Sequence, residues 1–231
     1  MIPGTGDPAP VEAGLARVIH ATGRLFTVTG VGLMLVDEGC ELRYVGATDA
    51  AARALEAAHE DLGEGPCVDC FVTGEPVETA DLQADDRWPA LSAAVVPAGV
   101  RAVLGMPVRL GGAPVGSLNA FHADPFTWDA SDTGAIAAFR DVLEEMLGAA
   151  VAARRSGAVV RQLETALDRR VTIERAIGIL MERHSIPAVV AFGALRRAAR
   201  DERRSVAELA ARTLDGEDVV GSRLPRPGSL S

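Results

Sequence analysis

VRAVLGMPVRLGGAPVGSLNAFHA, residues 100–123, holds two apolar runs separated by Gly111-Gly112. Runs of this length with a glycine pair between them predict two antiparallel strands joined by a tight turn. Upstream, VTGVGLMLVD predicts a buried strand ending near Asp37. CELRYVGAT predicts its alternating neighbour, with DEGC as the turn between them. Pro76 and Val77 open another extended segment. Helical spacing surrounds these strands. Val11, Leu15, Val18 and Ile19 share one face, and DAAARALEAAHEDL runs from Thr48 as N-cap to Gly63 as its stop. Pro66 suits the first turn of a short helix and Gly74 its exit. A further short helix is expected around Ala90 to Val96, and a longer one from Ser131 or Asp132. Residues 11–147 are therefore expected to be α+β, a central antiparallel sheet flanked by helices. Beyond them no strand signal remains.

Charge divides the chain in the same way. The net charge is −9, yet residues 1–153 carry 8 Arg against 22 acids and residues 154–212 carry 13 Arg against 7 acids. All basic side chains are arginine. A basic segment on an acidic protein fits a polyanionic partner; the plainer reading is a solvated helical face. There is no basic start followed by an apolar run, and no stretch approaches the roughly 20 apolar residues of a membrane span. A cytoplasmic protein without membrane contact is expected. The odd number of cysteines, Cys40, Cys67 and Cys70, does not make a disulfide framework.

Between the halves, Ile136, Phe139, Leu143, Met146 and Leu147 share one face, resumed by Val160, Leu163 and Leu167. This spacing predicts a long coiled-coil helix and a homodimer. Packing on the chain's own sheet and C-terminal helices is the alternative. The expected boundaries are a disordered 1–10, a first domain at 11–147, a helical linker at 148–158, a three-helix bundle at 159–216 and a disordered tail at 217–231.

In the basic segment, VTIERAIGILMERHSI (residues 171–186) places Gly178 inside a helix, at a cost of roughly 1 kcal/mol against alanine. Ile173, Ala176, Ile177 and Leu180 form its apolar face, with Gly178 well away from it. Ser185 can cap the next helix, where Ala188, Ala191, Phe192, Leu195 and Ala199 make the buried stripe. Gly193, Arg197, Arg200 and Arg204 run beside that stripe, bordered by Arg196 and Arg203. Ser205 with Glu208 is a capping box, and Val206, Leu209, Ala210 and Leu214 give the last helix its apolar side. An arginine stripe can contact phosphates, and a missing side chain admits a close backbone.

Residues 159–214 closely resemble the ANTAR domain. The residues carrying the likeness are Leu163, Ala166, Leu167, Arg170, Ile173, Glu174, Ala176 and Gly178 to Met181, then Ala191, Phe192, Leu195, Arg196, Ala199, Val206, Leu209 and Ala210. Ile177 replaces the usual Lys of that family, and Arg203 stands where Asn is frequent. The resemblance implies an antitermination module that binds paired stem-loops in nascent leader transcripts. It points to Arg169, Arg170, Arg175, Ala176, Ile177, Gly178, Gly193, Arg196, Arg197, Arg200, Arg203 and Arg204 as RNA-binding residues.

Residues 15–147 resemble a GAF domain of the form that precedes ANTAR modules in actinobacteria. LGEGPC, TGEPV, ADLQADDRWP and the hairpin that opens this section carry the likeness. It implies a sensor pocket, lined by Glu64, Pro66, Cys67, Cys70 and Trp88, for an unidentified small ligand. No cofactor is evident. Cys67-x-x-Cys70 admits a redox or metal reading beside the plainer one of small buried thiols, but a structural zinc site would also need Cys40 and either His59 or His122. The four histidines show no ligand spacing, so no metal is expected. Nothing resembles a Ser/His/Asp motif, a phosphate loop or HExxH, so an enzyme is not expected. The alternatives are a thiol-based redox sensor or GAF-type reductase whose helical tail dimerises, and a DNA-binding bundle.

Overall fold

The structure is a computed structural model that describes residues 10–25, 27–152, 158–221 and 224. Strands β1 (Gly30–Val36), β2 (Leu42–Ala47), β3 (Val77–Thr79), β4 (Ala102–Leu110) and β5 (Ala113–His122) form one antiparallel sheet in the order β2-β1-β5-β4-β3. The β4–β5 turn needs positive φ at both positions, and Gly111 (60°) and Gly112 (87°) supply it. Helices α1 (Pro10–Leu25) and α5 (Ala130–Ala152) pack on one face of the sheet. There Leu15, Ile19, Ile136, Leu143 and Leu147 meet Leu104, Met106, Leu118 and Ala120. Helices α2 (Ala50–Leu62), α3 (Pro66–Thr73) and α4 (Pro89–Val95) lie on the other side. Leu55, Trp88, Leu91 and Val95 cover Val103 and Phe121 there.

Three further helices follow: α6 (Ala158–His184), α7 (Ala188–Glu202) and α8 (Val206–Leu214). Ile173, Ala176, Ile177 and Leu180 of α6 pack with Phe192 and Leu195 of α7 and with Val206, Leu209 and Ala210 of α8. The capping box at the start of α8 is formed as its sequence requires, with both Ser205 and Glu208 bonding back to the chain.

The structure corrects several expectations. The apolar seam read as a dimer surface is covered within the chain: Ile136, Leu143 and Leu147 lie under α1 and β4, and Val160 and Leu163 join the same core. Phe139, Met146 and Leu167 of the same seam stay half-buried, so the seam packs within the chain over most of its length. Of the expected 148–158 linker, residues up to 152 continue α5, and 153–157 lie outside the described residues. The N-cap of α2 is Asp49, which accepts from Ala52 N; Thr48 Oγ1 instead accepts from Val31 N, tying the helix entry to β1. Ser185 adopts φ 53° and leaves the cap position of α7 to Pro187. The tail expected to be disordered from 217 contributes Val219 and Val220 to the core. The expected disorder of residues 1–9 and 225–231 falls outside the described residues.

Candidate nucleic-acid interface

Two sets of arginines stand out in the basic segment. The first faces solvent. Arg175, Arg197, Arg203 and Arg204 are exposed, as is Gly178. Along α6 the seam with α8 opens into two grooves. One, of about 510 Å³, is lined by Arg169, Thr172, Ser205 and Glu208. The other, of about 640 Å³, is lined by Arg175, Gly178, Ile179, Arg183 and Leu214. A Cβ added at Gly178 would meet nothing within 4 Å. The glycine therefore does not accommodate a neighbouring helix of this chain. It lowers the floor of an accessible groove between two arginines.

The second set is held by the first domain. Arg196 is buried, and its NH2 group donates to Glu60 O at 3.0 Å. Arg200 donates to the same oxygen at 2.7 Å and also to Asp61 O. Both carbonyls belong to the last turn of α2, where a helix leaves acceptors unpaired and its dipole is negative. Gly63 ends α2 in the left-handed region at φ 70°, and Arg196 lies directly over it. Arg170, also buried, repeats the arrangement at α3. It donates to Phe71 O at 3.3 Å and places its guanidinium 4.4 Å from the Phe71 ring centre, while pairing with Glu174 at 2.8 Å. Phe71 also makes an edge contact with Phe192 of α7, centroids 5.9 Å apart. Arg169 donates to Glu38 O in the β1–β2 turn. Burial pulls the Arg196 guanidinium below its ordinary pKa, and its Nε has no partner. This arginine is thus placed at a cost.

Ala176 and Ile177, expected among the RNA contacts, are buried in the bundle core and cannot reach a ligand; the apolar face they share with Ile173 and Leu180 claims them. Gly193 is half-buried beside the Arg197 side chain. Arg203 closes α7 in the left-handed region at φ 53°, a conformation that Asn tolerates better than most residues. This backbone demand fits the Asn that is frequent at the matching position of the resembled family.

The ANTAR domain family matches residues 161–213, and the GAF domain family matches residues 10–154. The chain belongs to the GAF family and carries an ANTAR domain behind it. No curated protein matches it. Among solved structures, the GAF domain of an Acinetobacter phosphoenolpyruvate-protein phosphotransferase is 16% identical over 63% of this chain and 87% of its own, with TM-score 0.51. A photoproduct-state GAF domain from Synechocystis is 14% identical over 62% and 98%, with TM-score 0.52. Free methionine-R-sulfoxide reductase from Neisseria meningitidis is 22% identical over 61% and 79%, with TM-score 0.49. At such identities the likeness is one of fold alone.

Within the GAF domain the expected pocket residues gather around α3, where Glu64 and Trp88 have structural roles. Glu64 caps α4, accepting from Ala90 N at 2.9 Å and Leu91 N at 3.0 Å. Trp88 is buried and donates to Asp69 at 3.1 Å. Pro66, Cys67 and Cys70 are buried, and all three cysteines are free thiols. Burial, reinforced by the Glu56 carboxylate, pushes the Cys67 thiol up, and burial does the same to Cys70. Burial pushes Cys40 up to about 11, and its Sγ donates to Ala166 O of the ANTAR helix at 3.3 Å. Thiols raised in this way are poor nucleophiles, which weighs against the redox reading. Sequence reasoning missed Glu56 and raised His59 only as a further ligand that zinc at Cys67 and Cys70 would need. They stand at i and i+3 on α2, fully buried, against Cys67 of α3. That spacing was the available signal. Among the described residues, no helix is long and apolar enough to cross a membrane.

Proposed function

We propose that this protein is a cytoplasmic antitermination regulator whose GAF domain withholds part of an RNA-binding surface. The carrying observation is that Arg170, Arg196 and Arg200 of the ANTAR domain spend their guanidinium groups on the C-terminal carbonyls of α2 and α3. A helix C-terminus offers an arginine what an RNA phosphate offers: oxygen acceptors in a negative field. The two states therefore exchange like for like, and a modest input can shift the balance. The input is a signal received by the GAF domain. The output is capture of paired stem-loops in a leader transcript, with unpaired loop bases as the readable part. Two loops suit two ANTAR domains, and linking them in a dimer would multiply affinity without new contacts.

Binding to an RNA with two short stem-loops, measured at several salt concentrations, tests the proposal. Affinity equal to that for scrambled loops would sink it. The triple variant Arg175→Ala, Arg197→Ala, Arg204→Ala should flatten the salt slope by roughly 0.7–0.9 for each phosphate contact removed. An unchanged slope would place the RNA elsewhere. Gly178→Ala separates stability from recognition. The added methyl group meets nothing and improves helix propensity, so the protein should gain about 1 kcal/mol. Its affinity for the RNA should fall nonetheless, because the groove floor rises. A gain in stability with undiminished affinity would remove Gly178 from the interface.

A further inference from the structure

Beneath α2 and α3, Glu56, His59 and Cys67 converge with no solvent exposure on any of them. We propose that these three side chains are a binding site for one divalent metal ion of the zinc class. His59 Nδ1 stands 3.6 Å from Glu56 Oε2, and Cys67 Sγ stands 3.8 Å from the same oxygen and 2.8 Å from Nδ1. Zinc bond lengths and tetrahedral angles put ligand edges at about 3.4 Å for N–O and about 3.6 Å for S–N and S–O. Two of the three edges already lie near those values. The third must open by about 0.8 Å to admit the ion.

The surroundings are built for this cluster. A Cβ at Gly32 would fall 1.9 Å from Glu56 Oε1, one at Gly65 2.5 Å from the His59 ring, and one at Gly105 2.8 Å from the Pro66 carbonyl beside Cys67. Gly32 and Gly105 thus let α2 and α3 close on the sheet, and Gly65 lets the start of α3 close on His59 of α2. Asn119 Nδ2 donates to both Glu56 oxygens, at 2.9 and 3.0 Å, and fixes the carboxylate as partners of metal ligands do. On the same face of β5, Asn119 Oδ1 is buried without a hydrogen-bond partner and the Ser117 hydroxyl stands against Cys67, leaving oxygen donors for a fourth position.

Charge supports the same assignment. Among the described residues, Glu56 has no ion-pair partner other than His59. A buried carboxylate needs a counterion. With a divalent cation bound, carboxylate and thiolate neutralise it, His59 stays neutral, and the thiol proton passes to solvent. A nucleophilic role for the same residues would need substrate access that their complete burial does not provide. The assignment is independent of the RNA-binding reading, and it departs from the expectation of no metal drawn from histidine spacing.

The test uses the full chain, stripped of metal and titrated with Co²⁺, then with Zn²⁺. One equivalent of Co²⁺ should produce a thiolate-to-cobalt charge-transfer band and strong tetrahedral d–d bands, and Zn²⁺ should abolish both. The bands should persist in Cys40→Ser and Cys70→Ser and vanish in Cys67→Ser. Asn119→Ala should weaken binding roughly ten- to hundredfold. Circular dichroism establishes that each variant is folded. Absence of the bands in the wild-type chain overturns the site whatever the variants do, as do bands that survive Cys67→Ser.

Discussion

Gly63→Ala should raise the affinity of the full chain for a two-stem-loop RNA roughly tenfold. The residue is not itself a candidate RNA contact; it ends α2 beneath Arg196. A Cβ there would lie 1.6 Å from Arg196 NH1, the far end of a flexible side chain, so the arginine yields rather than the backbone. Displacing it loosens the hold on Glu60 O and, with it, the neighbouring Arg200. Each hydrogen bond from a charged donor contributes about 1.5–3 kcal/mol when buried. Arg200 is exposed and is worth less, so a net gain of about 1.4 kcal/mol for the released state is expected, a factor of ten. Alanine in the left-handed region costs about 1–2 kcal/mol, which a melting curve will register. Gly63→Asn, better tolerated at positive φ, should release the arginine with less of that cost. Affinity left unchanged by both variants, in folded protein, would mean that the GAF domain does not restrain RNA binding.

A large loss of stability is expected from Gly105→Ala. Its Cβ would stand 2.8 Å from Pro66 O, 3.0 Å from Pro66 C and 3.2 Å from Cys67 N. These are backbone atoms of the first turn of α3, and they can move only if the helix moves. Overpacking of this kind costs about 1–3 kcal/mol. For a chain of this size that lowers Tm by roughly 2–4 °C per kcal/mol. Gly148→Ala is the matched control, because its nearest neighbour, Leu110 Cδ1, is 4.0 Å away in ordinary contact. A Gly105→Ala protein that melts with the wild type would show that α3 does not seat on β4 as described.

The hairpin at residues 100–123 was legible because Gly111-Gly112 can satisfy two positive φ angles that few other pairs can. The capping box of α8 and the apolar face of α6 were legible for the same reason: each is local, and a few neighbouring residues determine it. Tertiary partners were not. The periodicity from Ile136 to Leu167 shows that one face is buried but cannot say against what; α1, β4 and the chain's own bundle supplied the answer. The stripe of α7 gave Arg196 and Arg200 as phosphate contacts on charge alone, since no pattern shows that Glu60 and Asp61 carbonyls lie opposite. Glu56 and Cys67, eleven positions apart in different helices, meet only through the fold.

One continuous apolar core runs from Leu15 and Ile19 under the sheet through Phe71 and Phe192 to Leu209 and Val220. The boundary that family matching draws between residues 154 and 161 is therefore not a boundary in packing. Heating should produce one cooperative transition, with sheet and bundle lost together, rather than two separate steps. Any signal that frees the bundle must then loosen the sensor as well, so sensitivity to the signal and resistance to heat are set by the same contacts and cannot be tuned apart.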